Sequence, residues 1–183
     1  MTNRGRFLLG TFILVGATAP TPALADSCPA FLDHEQRRLH SSDTVNLCDL
    51  AQNKPMLVIN TASHCGYTHQ FEGLESLHKR YGNAGLVVVG FASDDFRQEA
   101  ESEEEAATIC YKNFGVTFTM IAPGPVTGPD ANPVFQEINT QSSPPSWNFS
   151  KYVVDAEGNI TASFSSRVSP DDPELIEAIE SVL

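Results

Sequence analysis

The chain has 183 residues, 41% of them hydrophobic, and a formal net charge of −12 at pH 7. This length fits a single domain with a proper core. The acidic balance argues against binding to nucleic acid or to anionic lipid, because such a surface repels both.

The first 25 residues are typical of a secretory signal peptide. Arg4 and Arg6 precede an apolar run over 7–19, and Ala23-Leu24-Ala25 closes the segment. The apolar run is too short to span a membrane, which takes about 20 residues. The sequence therefore predicts cleavage after Ala25 and export to the periplasm or the medium. It also predicts no membrane contact after cleavage and one mature domain over 26–183.

Two of the four cysteines lie near the start of the predicted mature chain. Cys28 and Cys48 flank two short runs around Ser41-Ser42-Asp43, which look like a β-hairpin over 37–47. The ends of such a hairpin could bring the two thiols together, and export would place them in an oxidising compartment. We expect a structural disulfide between them.

Cys65 lies between a predicted strand and a predicted helix. Met56–Asn60 is short, apolar and β-branched, which favours a buried strand. Over Gln70–Tyr81 apolar residues recur every three or four positions, which predicts an amphipathic helix. A helix N-terminus favours an anion, and a thiolate there is a nucleophile. The alternative is that Cys65 is simply a small buried hydrophobe.

A second strand is predicted over 86–91, and it would pair in parallel with the first through a right-handed crossover. The polar loop that follows would then lie at the same edge of the sheet as Cys65. Ser102 and Glu105 form a capping box, which predicts a helix to about Phe114 with Cys110 in its last turns. We interpret the acidic run here as the start of a solvated helix rather than a metal site.

The remaining pattern completes an α/β domain. It predicts, in chain order, an extended segment over 116–121, a loop over 123–133, a short helix over 132–138, a hairpin over 152–164 and a last helix that begins at Ser169-Pro170. This order predicts a thioredoxin-like three-layer fold with a mixed central sheet, an N-terminal β-hairpin and a mid-chain insertion.

Several spaced motifs run from Leu39 almost to the end of the chain. They are N-T-A-S-H-C-G-Y-T, G-L-E-S-L, V-V-V-G-F, R-Q-E, C-Y-K-N-F-G-V-T-F, W-N-F-S-K-Y-V-V-D-A-E-G-N and S-P-D-D. Together these motifs resemble those of the glutathione peroxidase family. The resemblance implies a peroxidatic cysteine at Cys65, assisted by Gln98, Trp147 and Asn148.

One loop departs from the family pattern. This chain has S-D-D-F-R-Q-E-A-E where the family usually has C-N-Q-F-G-x-Q-E-P-G, so the loop is one residue shorter and lacks the Pro-Gly. A different alignment would bring Asp95 to the place given to Gln98. The segment that mediates oligomers in larger members is also absent, and we expect a monomer.

The resemblance implies reduction of hydrogen peroxide and organic hydroperoxides through a cysteine sulfenic acid, with no cofactor and no metal. Carboxamides and an indole can donate hydrogen bonds to the moving charge without titrating. Cys110 matches the resolving cysteine of thiol-dependent members. The reductant would be a thioredoxin-type protein or glutathione, and the acidic surface favours the protein.

Other functions remain open at this point. Cys110 could instead be a core residue on an amphipathic helix. A peroxide sensor or relay would begin with the same sulfenic acid at Cys65. A metal-binding module of the same fold could use Cys65 with His64 or His69. A thiol-disulfide reductase is disfavoured, because the cysteine is followed by Gly66-Tyr67-Thr68 rather than by the second cysteine of C-x-x-C.

Overall fold

A five-stranded mixed sheet forms the centre of the molecule. The computed structural model describes residues 1–2 and 28–183, so the predicted signal segment lies outside the described residues apart from its first two. The strands are β3 (Met56–Thr61), β4 (Val87–Ala92), β5 (Thr119–Ile121), β6 (Lys151–Val154) and β7 (Ile160–Phe164). Their order is β5-β4-β3-β6-β7. β3, β4 and β5 are parallel, and β6 and β7 are antiparallel to their neighbours.

Helices cover both faces of this sheet. They are α1 (Leu47–Ala51), α2 (Gln70–Tyr81), α3 (Glu103–Ala107), α4 (Pro133–Gln141) and α5 (Pro173–Glu180), with a 3₁₀ turn at Gly82–Ala84. A first core joins the sheet to α2, α3 and α5, and a second core joins it to α1 and α4. This arrangement confirms the predicted thioredoxin-like α/β fold. In the described part of the chain, no helix combines the length and apolar character needed to cross a bilayer.

The N-terminal hairpin consists of β1 (Glu35–Arg37) and β2 (Thr44–Asn46), which pair in antiparallel fashion. It attaches to the edge of the main sheet, where the Leu39 N–H donates to the Met120 carbonyl at 2.9 Å. α1 follows β2 directly and carries Cys48, whose N–H donates to the Asn46 side chain at 2.8 Å. The sequence reading missed α1, because five residues are too few to show helical periodicity.

The cysteines of this region are covalently joined. Cys28 and Cys48 form a disulfide with a Cα–Cα distance of 5.7 Å. Both side chains pack against the second core. The bond ties the segment before β1 to α1, rather than joining the two ends of the hairpin itself.

The prediction of a continuous α-helix through Cys110 is wrong for the second half of that segment. Ser102 caps α3 as predicted, since its hydroxyl accepts from the Glu105 N–H at 3.2 Å. After Ala107 the chain widens into a π-helix over Thr108–Asn113. π-helical turns are rare in proteins, and those that occur often lie at functional sites. The capping box and periodicity predict a helix, but they do not report the change in winding.

The start of α5 also differs from the prediction, which placed it at Ser169-Pro170. The helix is capped instead by Asp172, whose carboxylate accepts from the Glu174 N–H at 2.9 Å. Pro170 packs on α2, where a Cβ added at Gly73 would lie 2.8 Å from the Pro170 Cβ. Both Ser-Pro and Asp-Pro fit a cap followed by proline, and packing against Gly73 selects the later one.

Candidate active site

Cys65 follows the carboxyl end of β3, in the turn that leads to α2. Its side chain belongs to the first core and is only 3% exposed. The Cys65 carbonyl accepts from the Thr68 N–H at 3.1 Å, which closes one turn before the helix begins. The thiol is free. The structure therefore places Cys65 between strand and helix, where the sequence predicts it.

The loop after β4 lies against the Cys65 turn. Thr61 and Ala92, the last residues of β3 and β4, pair with each other, so both following loops leave the same edge of the sheet. The His64 N–H donates to the Gln98 carbonyl at 2.8 Å. This contact places Gln98 beside the residue that precedes Cys65.

Gln98 and Asn148 meet through their side chains. The Asn148 Nδ2 donates to the Gln98 Oε1 at 3.1 Å. Asn148 is fully buried, and within the described residues its Oδ1 has no hydrogen-bond partner. The bond uses the carbonyl of Gln98, so the NH₂ group of Gln98 remains available as a donor. Two of the residues predicted from the sequence are thus in direct contact.

Left-handed backbone conformations occur next to both carboxamides. Arg97, which precedes Gln98, has φ 56°, and Phe149, which follows Asn148, has φ 64°. Non-glycine residues seldom adopt such angles, and they concentrate at functional sites where surrounding contacts hold them. An unusual backbone conformation therefore lies directly beside each of the two carboxamide residues.

Trp147 lies between the two loops and is 40% exposed. Its ring packs on Phe96 with centroids 5.4 Å apart. It also lines a surface cavity of about 540 Å³ together with Tyr67 and Arg167. Because Tyr67 follows Cys65 closely and Phe96 belongs to the Gln98 loop, the indole borders both segments.

Asn60 anchors the Trp147 segment, a role that the sequence reading missed. Its Nδ2 donates to the Trp147 carbonyl at 3.1 Å, and its Oδ1 accepts from the Ser150 N–H at 3.1 Å. Its own carbonyl accepts from the Phe149 N–H at 2.6 Å. Asn60 is fully buried. The sequence did contain one sign of this role, which is a polar asparagine near the end of a strand that is otherwise apolar.

Cys110 is buried on the same side of the sheet as Cys65. It is 2% exposed, belongs to the first core and carries a free thiol. Burial raises the pKa of the Cys110 thiol to about 12. The thiol is therefore neutral at physiological pH, and its Sγ lies 3.8 Å from the Ala107 carbonyl.

Asp95 has a different environment from Gln98. Its Oδ2 accepts from the Val126 N–H at 2.8 Å and from the Thr127 N–H and hydroxyl, both at 2.7 Å. Asp95 therefore holds the following proline-rich loop. The shortened loop brings Gln98, and not Asp95, into contact with Asn148.

The histidines of the Cys65 turn have partners outside any ligand cluster. His64 Nε2 lies 3.3 Å from a Glu105 carboxylate oxygen, and His69 Nδ1 lies 3.0 Å from the Gly66 carbonyl. Across residues 28–183, no three His, Cys, Asp or Glu side chains come together as a metal site would require.

A thioredoxin-like sheet with a free, buried cysteine at its carboxyl edge places the chain among the thioredoxin-fold thiol proteins. The sequence comparison narrows this class, because the glutathione peroxidase family model matches residues 31–139. The glutathione peroxidase-like peroxiredoxin gpx1 of Schizosaccharomyces pombe (strain 972 / ATCC 24843) is 40% identical over 138 residues, which cover 72% of this chain and 86% of that protein. The chain belongs to the glutathione peroxidase family. It is a peroxidase that uses a peroxide as substrate and a thiol as reductant.

Solved structures agree with this assignment. The crystal structure of Trgpx in apo form matches with a TM-score of 0.62 and 25% identity, covering 85% of this chain and 99% of that chain. A thiol:disulfide interchange protein from Chlorobium tepidum TLS matches with a TM-score of 0.62 at 14% identity, covering 81% of this chain and 92% of that chain. The second match concerns the fold alone. Trp147 and Asn148 lie beyond the residues that the family model matches.

Proposed function

We propose that this chain is an exported peroxidase that reduces hydrogen peroxide and organic hydroperoxides through a sulfenic acid at Cys65. Gln98, Asn148 and Trp147 donate hydrogen bonds to the reacting oxygens. The proposal depends mainly on one observation, the 3.1 Å contact between the Gln98 and Asn148 side chains beside the Cys65 turn. Two carboxamides from distant loops meet there, and the Gln98 carbonyl accepts from the N–H of His64, the residue before Cys65.

The first step is a two-electron oxidation of sulfur. The Cys65 thiolate attacks one oxygen of the peroxide in line with the O–O bond. An S–O bond forms as the O–O bond breaks, and the departing alkoxide or hydroxide takes a proton and leaves as alcohol or water. Negative charge moves from sulfur to oxygen, and fixed neutral donors stabilise that movement without changing protonation state.

The cavity beside Trp147 supports organic hydroperoxides as substrates. Its volume is about 540 Å³, and Tyr67, Ser146 and Ser166 contribute to its lining. Pockets that bind small molecules commonly measure about 300–1,000 Å³. The opening therefore has room for the organic part of a hydroperoxide.

In the second step Cys110 condenses with the sulfenic acid to form a Cys65–Cys110 disulfide and water. Cys110 is buried in the π-helix over Thr108–Asn113, so the step needs a local opening of this segment. A thioredoxin-type protein then reduces the disulfide by thiol exchange. Glutathione is the alternative reductant and would attack the sulfenic acid directly. The charge of −12 favours a protein reductant over anionic glutathione.

Export and a monomeric state complete the proposal. The signal-like sequence over 1–25 argues for export to the periplasm or the medium. The Cys28–Cys48 disulfide is consistent with an oxidising compartment. Mass spectrometry of the exported protein should find Asp26 at its N-terminus, and a size-exclusion run with light scattering should give the mass of a monomer.

The decisive test is Cys65→Ser. The variant should lose peroxide reduction down to the uncatalysed rate, because a serine hydroxyl is a poor nucleophile at its ordinary pKa. The measurement is peroxide consumption with an excess of thiol reductant, together with circular dichroism to verify the fold. Retained turnover would end the proposal. Consumption of a single equivalent by the wild type would identify a peroxide sensor instead of an enzyme.

A second test addresses the carboxamide pair. Gln98→Ala should slow oxidation of Cys65 on the order of a hundredfold, since a preorganised donor of this kind typically has that effect. Asp95→Asn is the matched control on the same loop, and its oxidation rate should stay close to the wild-type rate. Stopped-flow fluorescence of Trp147 measures both rates. A large effect at Asp95 with none at Gln98 would reverse the residue assignment.

A further inference from the structure

Glu99 and Cys110 line the same small cavity. Its volume is about 10 Å³, and Thr61, Ser63 and Ala106 also contribute to its walls. A polar cavity holds a water molecule only from about 10–15 Å³ upward, so this space is at the lower limit. A carboxylate and a thiol therefore line one small shared space.

Glu99 is bonded to the Cys65 turn through only one of its two oxygens. Its Oε1 accepts from the Ser63 hydroxyl, from the Ser63 N–H at 3.3 Å and from the Ala100 N–H at 2.9 Å. All three donors reach the same oxygen, which leaves Oε2 to accept a proton. Ser63 lies two positions before Cys65. Glu99 thus contacts the segment of the peroxidatic cysteine while it faces the cavity of Cys110.

The second step needs a proton acceptor. Burial raises the pKa of the Cys110 thiol to about 12, and the neutral thiol is a poor nucleophile. Burial also raises the pKa of Glu99 above its usual range, although the Ser63 hydrogen bonds oppose this. The other titratable groups nearby are His64, on the Cys65 turn, and Tyr111, beside Cys110. Of the groups around the thiol, the Glu99 carboxylate is the base that shares its cavity.

We propose that Glu99 accepts the proton of Cys110 during formation of the Cys65–Cys110 disulfide, directly or through one water. This inference rests on the proposed role of Cys110 as the resolving cysteine. The proton of Cys110 passes to Glu99 as the S–S bond forms and the S–O bond of Cys65 breaks. The departing hydroxide then takes the proton from Glu99 and leaves as water. The Cys110 sulfur is oxidised and the Cys65 sulfur is reduced, so the step needs no other oxidant.

Two roles of Glu99 predict effects of opposite sign. As a neighbouring negative charge alone, Glu99 disfavours the thiolate of Cys110, so its removal would speed disulfide formation. As a proton acceptor it assists the attack, so its removal would slow the same step. Whether disulfide formation becomes faster or slower without the Glu99 carboxylate decides between these two roles.

The experiment compares the exported wild-type protein with Glu99→Gln and Glu101→Gln. A glutamine at position 99 keeps a carbonyl oxygen for the Ser63 and Ala100 hydrogen bonds. Glu101 is an exposed carboxylate on the same loop, and its variant controls for the loss of charge. Each protein receives one equivalent of hydrogen peroxide and is then quenched with an alkylating agent. Mass spectrometry follows the sulfenic acid and the disulfide separately in time.

We expect the conversion of sulfenic acid to disulfide to be about a hundredfold slower in Glu99→Gln, in line with general-base effects. Glu101→Gln should match the wild type. In the wild type the rate should level off once Glu99 is ionised, at a pH above the usual range of a glutamate, because burial raises the Glu99 pKa. In Glu99→Gln it should instead rise roughly tenfold per pH unit, following ionisation of the thiol.

An equal or faster rate in Glu99→Gln would overturn the role of Glu99 and leave Cys110 as the resolving cysteine. If the wild type forms no Cys65–Cys110 disulfide, the resolving role of Cys110 and the role of Glu99 both fail. The wild-type pH profile gives a separate answer should the variant not fold. A wild-type rate that rises tenfold per pH unit without levelling off, as ionisation of the thiol alone would give, excludes Glu99 as the acceptor.

Discussion

The two faces of the central sheet use their cysteines in different ways. On the side of the second core, Cys28 and Cys48 are joined, with their Cα atoms 5.7 Å apart. On the side of the first core, Cys65 and Cys110 are both free and both buried. One pair is joined by a covalent bond, and the other consists of two free thiols.

The difference lies in the elements that carry the cysteines. Cys48 sits at the start of α1, where the Asn46 cap holds its backbone. Cys110 sits in a π-helix whose end is marked by a bond from the Phe114 N–H to the Ile109 carbonyl, at 3.3 Å. Segments with irregular hydrogen bonding open locally at lower cost than core strands. We infer that one face carries the structural disulfide and the other face carries the redox function.

The largest effect that tests this division is expected for Cys110→Ser. The variant should lose nearly all turnover with a thioredoxin-type protein, because such a reductant acts on a disulfide and no Cys65–Cys110 disulfide can form. Turnover with glutathione should survive, since a small thiol reaches the sulfenic acid directly. A coupled assay with each reductant measures both activities on one preparation.

The glutathione assay is the internal control for this variant, because it shows that Cys65 still reacts with peroxide. Turnover with thioredoxin equal to that of the wild type would make Cys110 a core residue only. The chain would then work as a one-cysteine peroxidase, and the proposed difference between the two faces would disappear.

The next effect concerns the second face. Replacing both Cys28 and Cys48 with serine should lower the free energy of unfolding by about 3 kcal/mol, the value for a closed loop of this size. The rate of Cys65 oxidation should stay close to that of the wild type, because the bond lies on the other side of the sheet. Urea unfolding and stopped-flow fluorescence measure the two quantities.

A reducing agent provides the matched control for the disulfide. It should lower the stability of the wild type by a similar amount and leave the double serine variant unchanged. A double variant that keeps wild-type stability but loses peroxidase activity would contradict the separation of the two faces.

Much of the fold could be predicted because its elements carry strong local signals. The bounds of α2 agree with those observed, since its apolar stripe recurs over the full length of the helix. The sequence patterns did not locate an element correctly where two helix caps fitted equally well or where the element was very short. The start of α5 depends on the packing of Pro170 against Gly73, and α1 has only five residues. A local sequence pattern shows neither the packing of Pro170 against Gly73 nor a helix as short as α1.

The site was predicted less completely than the fold. Motifs led to Gln98 and Asn148, and the structure brings their side chains together at 3.1 Å. The contacts of Asn60 and Glu99 could not be predicted, because their partners are remote in sequence or in another loop. The π-helix around Cys110 was also missed, since residue types that favour α-helices occur in both windings.

The smallest expected effect tests whether a buried charge on the face of the first core lowers the stability of the fold. Lys151 alternates with Tyr152 along β6 and so points toward the first core. It is fully buried, and its Nζ donates to the Phe149 carbonyl at 2.9 Å. Burial lowers the pKa of Lys151 from 10.5 to about 8. Holding the ammonium in this place at neutral pH therefore costs roughly 3 kcal/mol.

Lys151→Met should raise the free energy of unfolding at pH 7 by about 1 to 2 kcal/mol, because the loss of one hydrogen bond, about 1 kcal/mol, offsets part of the gain. Between pH 8 and 10.5 the unfolded wild type binds more protons at this lysine than the folded protein does. Wild-type stability should thus rise by roughly 3 kcal/mol relative to the variant across this range, so the advantage of methionine should vanish and then reverse. Urea unfolding at several pH values measures the difference, with Lys54→Met as the exposed control. A variant that is less stable than the wild type at pH 7 would mean that the bond to the left-handed Phe149 peptide outweighs the cost of burying the charge.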